Sequence, residues 1–126
     1  MRRQEILQSV IRELQQAVPE ITGVMVASTD GLSLATDLPG TEAARAAAMA
    51  ATALGLGKRI SQTMALGGLE EAVVRGKDGY LVIYAAGDRG VLAVSAPAGV
   101  NLGLIHLEAR QAAARIARAL EAKEEV

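Results

Sequence analysis

The apolar residues of this chain switch between a helical spacing and a strand spacing, and the switches mark out its elements. Between residues 3 and 18, Ile6, Leu7, Val10, Ile11, Leu14 and Val18 recur at helical spacing with Arg12, Glu13, Gln15 and Gln16 between them. Pro19 stops that helix. From Ile21 to Asp37 the period falls to two. Val24 and Val26 point to one face and Met25 and Ala27 to the other. Asp30-Gly31 supplies a hairpin turn, because both residues tolerate the positive φ of tight turns. On the return strand Leu32 and Leu34 alternate with Ser33 and Ala35, giving one apolar face and one small or polar face. Asp37-Leu38-Pro39-Gly40 is a turn cluster. Thr41 is a natural N-cap with Glu42 near the positive helix end. The second helix then runs from about Glu42 to Met64 and ends near Gly67-Gly68.

Three short strands are predicted next, Leu69–Arg75, Tyr80–Ala86 and Gly90–Ala96. The loops Gly76-Lys77-Asp78-Gly79 and Gly87-Asp88-Arg89-Gly90 separate them. Pro97-Ala98-Gly99 breaks the sheet. Asn101 caps a third helix with the stripe Leu102, Ile105, Ala109, Ala112, Ala113, Ile116 and Leu120. The order is α-β-β-α-β-β-β-α over one domain, residues 1–126, with 122–126 expected to be a frayed tail. The strands GVMVA, YLVIYAA and GVLAVSA are apolar on both faces and need cover above and below, so they belong in the middle. LEEAVVR and LSLATD carry charges or hydroxyls and suit the edges. The expected fold is α+β, a five-stranded antiparallel sheet with helices on both faces.

Composition narrows the function. Lys+Arg 13 against Asp+Glu 14 leaves a net charge of -1, scattered along the chain, so no nucleic-acid or anionic-membrane partner is predicted. Cys, Trp and Phe are absent and Tyr80 and Tyr84 are the only aromatic residues besides His106. Thiolate chemistry and sulfur metal sites are therefore excluded, and base stacking has almost no platform. The N-terminus is amphipathic and lacks the unbroken apolar run of a secretory signal. The longest uncharged helical run, Ala46–Gly57, is 12 residues, short of the roughly 20 that span a bilayer. A cytoplasmic protein without membrane insertion is the expectation.

Candidate catalytic chemistry is sparse. His106 is the only histidine and lacks partners at triad or metal-site spacing, so it reads as a structural or surface residue. Glu70 and Glu71 are adjacent on a strand and point to opposite faces. Asp78 and Asp88 lie in turns, where Asp is expected for backbone reasons. Gly55-Leu56-Gly57-Lys58-Arg59 is a poor phosphate loop. Thr52 stands where the first glycine is needed, Arg59 where the hydroxyl is needed, and the segment lies within a helix. No enzyme activity, cofactor or metal is expected.

The second helix carries two apolar faces. Met49, Ala53, Leu56, Ile60 and Met64 form a bulky stripe, assigned here to the sheet. The opposite face holds Ala44, Ala47, Ala48, Ala51 and Gly55 and ends in Lys58 and Gln62. An alanine-rich face is a good helix former in its own right, but small side chains also permit close approach of a partner helix. Strand Leu69–Arg75 would present an open edge with Val73 and Val74, and pairing with its own copy would remove it.

Gly23-Val24-Met25-Val26-Ala27-Ser28 leading into Asp30-Gly31-Leu32, the Ala-rich second helix, and Asn101-Leu102-Gly103-Leu104 opening the last helix together resemble the roadblock (dynein-light-chain-type) domain family. The resemblance is to stand-alone prokaryotic members of the kind that regulate gliding-motility GTPases. It implies a roadblock/profilin-like fold, with helix 2 on one face of the sheet and helices 1 and 3 on the other. It implies a homodimer joined through the third strand and second helix, and a Ras-like small GTPase as partner, whose nucleotide cycle or localisation the chain modulates. The dimer interface is then expected at Leu69, Glu70, Glu71, Ala72, Val73, Val74 and Arg75 with Ala47, Ala51 and Leu54. The partner surface is expected at Arg45, Ala48, Thr52, Gly55, Lys58, Arg59 and Gln62. The competing readings are a small-molecule-sensing domain and a purely structural assembly subunit.

Overall fold

A computed structural model describes residues 2–122. Helix α1 spans Arg3–Ala17, strand β1 Gly23–Ser28, β2 Ser33–Thr36, α2 Gly40–Thr63, β3 Ala72–Arg75, β4 Gly79–Ala86, β5 Gly90–Pro97 and α3 Leu102–Glu121. The five strands form one antiparallel sheet in the order β2-β1-β5-β4-β3. The strands that are apolar on both faces occupy the middle and the mixed strands occupy the edges, as their composition requires. The expected frayed tail lies, beyond Ala122, outside the described residues.

Two cores sandwich the sheet. On one face α1 (Leu7, Val10, Ile11, Leu14) and α3 (Ile105, Ala109, Ala113, Ile116) cover Val24, Val26, Val82, Tyr84, Leu92 and Val94. On the other, α2 lies on Met25, Ala27, Ile83, Val91 and Ala93. Alternation along β1 thus sends its valines to one helix layer and Met25 to the other. Asn101 Oδ1 accepts the Leu104 N–H at 3.1 Å and caps α3. At the negative end of the same helix, Arg3 Nε donates to Ala119 O at 3.3 Å and Arg89 Nη1 to Leu120 O at 3.1 Å.

Several local expectations are corrected. The hairpin turn is longer than two residues: Ser28 N–H donates to Leu32 O and Leu32 N–H to Ser28 Oγ. Only Gly31 takes a left-handed φ there, +93°; Asp30 does not. Val26 pairs with Ala35 but Ala27 with Ser33, so Leu34 is an inserted, bulged residue. The bulge redistributes the faces of β2. Ala35 joins the α1/α3 core, Leu34 is half-buried and Leu32 is exposed. Thr41 does not cap α2; the helix already starts at Gly40, with Pro39 as N-cap and no side-chain cap bond. Strand β3 begins at Ala72 rather than Leu69, because Leu69 turns inward to pack beneath α2 at Gly57.

The largest correction concerns α2. Its bulky stripe does not face the sheet. Met49 is 63% exposed, Leu56 58%, Ile60 48% and Met64 65%, whereas Ala43, Ala47, Ala50 and Leu54 are buried against the strands. The physical reason is packing distance. The sheet below already presents Met25, Ile83 and Val91, and a helix with alanines at the contact settles close onto them. Bulk is then left for the outside.

Candidate interaction surface

The exposed stripe of α2 lies on the flank of the helix that turns toward β3. Gly57, beside the stripe on the helical wheel, sits over Leu69 and Ala72 at that edge. The opposite flank touches the β1–β2 turn, where Gly31 approaches the Cα of Ala48. Beyond the C-terminus of α2, Leu66 is also exposed, as are Val73 and Val74 on β3. The bulky stripe of α2 thus lies toward the open sheet edge, where Val74 is exposed on the α2 side and Val73 on the α1/α3 side. Among the described residues these positions include most of the large exposed hydrophobic side chains; Leu32 and Leu107 lie apart.

The edges of the sheet differ. Strand β2 is distorted by its bulge, and such irregularity blunts an edge. Strand β3 runs in unbroken register with β4, Ala72 opposite Ile83 through Arg75 opposite Tyr80. Among the described residues its outer side has no strand neighbour.

The structure sorts the residues expected at the interfaces. Ala47 and Leu54 are 0% and 2% exposed and lie against the sheet, so neither reaches a partner. This corrects their assignment to the dimer surface. Ala51 is half-buried beside the β1–β2 turn, and Leu69 is half-buried under α2. Glu70, Val73, Val74 and Arg75 are exposed, and Glu71 and Ala72 are partly so. Of the expected partner surface, Arg45, Ala48, Thr52, Gly55, Arg59 and Gln62 are exposed and Lys58 is half-buried. Thr52 Oγ1 donates to Ala48 O at 2.8 Å within the helix. Equating bulk with burial hides Met49, Leu56, Ile60 and Met64 as surface. The signal was present: an α2 with two apolar faces has one more than a single sheet can cover.

A polar network fastens the approach to β3 onto α3. Arg110 Nη2 donates to Glu71 Oε1 at 2.7 Å and lies 3.6 Å from Glu70. Glu71 is 3.8 Å from His106 Nδ1, and the buried Tyr84 hydroxyl is 2.7 Å from the same nitrogen. Burial, then the negative charge of Glu71, pushes the Tyr84 phenol well above the usual tyrosine range, against a smaller opposing effect of Arg110. The hydrogen bond to Glu71 raises the Arg110 guanidinium further. Arg75 lies over the Tyr80 ring, 5.8 Å from its centroid. These contacts fix geometry. Among the described residues no group of His, Cys, Asp and Glu is placed to hold a metal ion, and Gly55–Arg59 lies within α2. No helix among them is long and apolar enough to cross a membrane.

Comparison with known proteins places this architecture. The sequence pattern of the Roadblock/LC7 domain matches residues 7–96. An uncharacterised protein of Methanocaldococcus jannaschii is 37% identical over 114 residues, which span 90% of this chain and 95% of that protein. The Roadblock/LC7 domain of Streptomyces avermitilis superposes with a TM-score of 0.85 at 24% identity, covering 90% of this chain and 97% of that one. The gliding protein MglB of Thermus thermophilus superposes with a TM-score of 0.82 at 18% identity, covering 94% and 91%. The two solved structures share the three-helix, five-strand fold, and the sequence match shows that the chain belongs to the Roadblock/LC7 domain family.

Proposed function

We propose that this chain is a non-enzymatic regulatory or scaffold module. It pairs with a second copy of itself through β3 and the β3-side flank of α2, and it binds a Ras-like small GTPase, altering that protein's nucleotide cycle or location. The observation that supports self-pairing most is the exposed Met49–Leu56–Ile60–Met64 stripe on the flank of α2 nearest the regular, open edge of β3. Contiguous apolar surface marks an interaction site, and an unpaired regular strand is a template for another strand. The GTPase part of the reading comes from membership of the Roadblock/LC7 family. The nucleotide belongs to the partner. The glycines and lysine at 55–58 sit inside a helix, where backbone N–H groups are committed to the helical ladder and cannot cradle phosphates.

Arg45 and Arg59 stand exposed on the outer side of α2 and supply charge for an acidic partner surface. The test pairs the purified protein with a Ras-like GTPase encoded in the same genome. Release of a fluorescent GDP analogue and the rate of GTP hydrolysis are read with and without the protein. Complex formation with a change in either rate, weakened by Arg45→Glu and Arg59→Glu, is the expected result. No complex and no change with any such GTPase overturns the GTPase assignment.

A further inference from the structure

The backbone of β3 distinguishes between the ways in which two copies can meet, and we propose that the pairing is centred on Val73, with Glu71 of each copy opposite Arg75 of the other. This rests on the self-pairing proposed above and adds its register. Three observations carry it.

The first is the direction of the hydrogen-bonding groups. Gly76 N–H donates to Gly79 O at 2.8 Å, in line with the register that sets Ala72 opposite Ile83. Alternation in an antiparallel ladder then turns the amides and carbonyls of Ala72, Val74 and Gly76 toward β4. Those of Val73 and Arg75 point into the open edge, and extending the strand by one residue before Ala72 gives Glu71 the same direction.

The second is the facing of the side chains. Val73 and Arg75 pair with Val82 and Tyr80, which belong to the α1/α3 core. Ala72 and Val74 pair with Ile83 and Leu81, on the α2 side. Glu71, which leads into β3, is the better buried of the two glutamates and lies against both Arg110 and His106 of α3, which is the layer that Val73 faces. A two-fold axis normal to the sheet keeps both α2 helices on one face, so opposed residues must share a face. The axis therefore passes between the two copies of a single residue, which face each other across it.

The third is charge. Centring on Val73 sets Glu71 opposite Arg75 twice and gives every outward amide and carbonyl from Glu71 to Arg75 a partner. Centring on Val74 sets Val73 against Arg75 and Glu71 against the turn residue Lys77. Centring on Ala72 sets Glu71 against Val73 and leaves Arg75 opposite Leu69. Opposite charges directly across an antiparallel pair stabilise it, and like charges there destabilise it. The Glu71 carboxylate, already held by Arg110 at 2.7 Å, has acceptor capacity for a second guanidinium. On the α2 side Ala72 lies opposite Val74 of the other copy, beneath the two apolar stripes.

The chain has no cysteine, so single substitutions report the register directly. Under mild oxidation Val73→Cys is expected to form a disulfide-linked dimer, since hydrogen-bonded opposed residues lie about 5.5 Å apart at Cα. Val74→Cys is expected not to, because its copies are displaced along the strands. Charge supplies an independent arm. Glu71→Arg and Arg75→Glu should each weaken self-association about tenfold or more in analytical ultracentrifugation. An equimolar mixture should recover a heterodimer, in which both cross-strand pairs are again opposite in sign. A wild-type chain that stays monomeric overturns the self-pairing reading, and the register with it. A wild-type dimer in which Val74→Cys cross-links in place of Val73→Cys, or in which the charge variants do not rescue each other, overturns the register alone.

Discussion

The hydroxyl of Tyr84, from the middle of the sheet, meets Nδ1 of His106, from α3, at 2.7 Å. Tyr84 is almost wholly buried, so its phenol has little access to water and the imidazole is the partner that the structure shows for it. The bond ties β4 to α3 on the side of the molecule where Glu71 and Arg110 tie the approach to β3 onto the same helix.

Burial holds the Tyr84 proton in the folded state above the ordinary tyrosine value of about 10. A group whose folded value is raised lends stability fully below the unfolded value and loses it as pH rises through the folded one. Stability should therefore fall as pH climbs above about 10, and Tyr84→Phe should flatten that fall. At neutral pH the same substitution should cost about 1 kcal/mol for the lost hydrogen bond. Urea denaturation of both proteins at pH 7 and across pH 9–11 checks the two statements. Equal slopes in the alkaline range would sink the first.

Replacing Ala65 with glycine should raise stability. Ala65 follows α2 with a φ of +55°. Its N–H bonds Gln62 O at 3.3 Å, and Leu66 N–H bonds Ser61 O at 2.8 Å. This is the Schellman arrangement, in which glycine is the usual left-handed residue. An alanine Cβ costs roughly 1–2 kcal/mol there, partly offset by the greater freedom of glycine in the unfolded chain. Ala65→Gly is expected to stabilise by about 0.5–1 kcal/mol, read as a higher denaturation midpoint at unchanged m-value.

Gly79 opens β4 where the neighbouring backbone leaves no room. A Cβ there would lie 2.6 Å from the carbonyl oxygen of Ala96 on β5. That oxygen belongs to the ladder and cannot turn away as a side chain would. Gly79→Ala should destabilise by about 1–3 kcal/mol, the cost of overpacking, whereas Gly40→Ala, with open space at its Cβ, should not. Thermal melts of the two variants distinguish these outcomes.

Which strands lie in the middle of the sheet and which at its edges was legible because the chemistry of a strand depends on its position. Strands apolar on both faces must be covered on both, and β1, β4 and β5 are. Asn101 was legible because an N-cap is local. What periodicity could not carry was distance between layers. The contrast between Ala47, buried, and Met49, exposed, reverses the ranking by bulk. It follows from the close seat of α2 on side chains contributed by other strands. The bulge at Leu34 was hidden for a related reason, since a one-residue insertion shows only against its partner strand. The Tyr84–His106–Glu71–Arg110 network joins positions far apart in sequence.

The same contrast of faces yields the sharpest test on α2. Leu54 and Leu56 are two positions apart, one 2% and the other 58% exposed. Leu54→Ala opens space between α2 and the sheet and should cost about 2–5 kcal/mol in a denaturant titration. Leu56→Ala should lie within about 0.5 kcal/mol of the wild type under conditions where the protein is monomeric. Self-association should rank the positions the other way, because only the outward stripe meets a second copy. Leu56→Glu and Ile60→Glu are expected to shift sedimentation toward the monomer while circular dichroism stays unchanged, since a charge placed at an apolar interface core is left without solvent. A dimer that tolerates both charges would move the pairing surface away from this flank, and with it the role assigned to the bulky residues of α2.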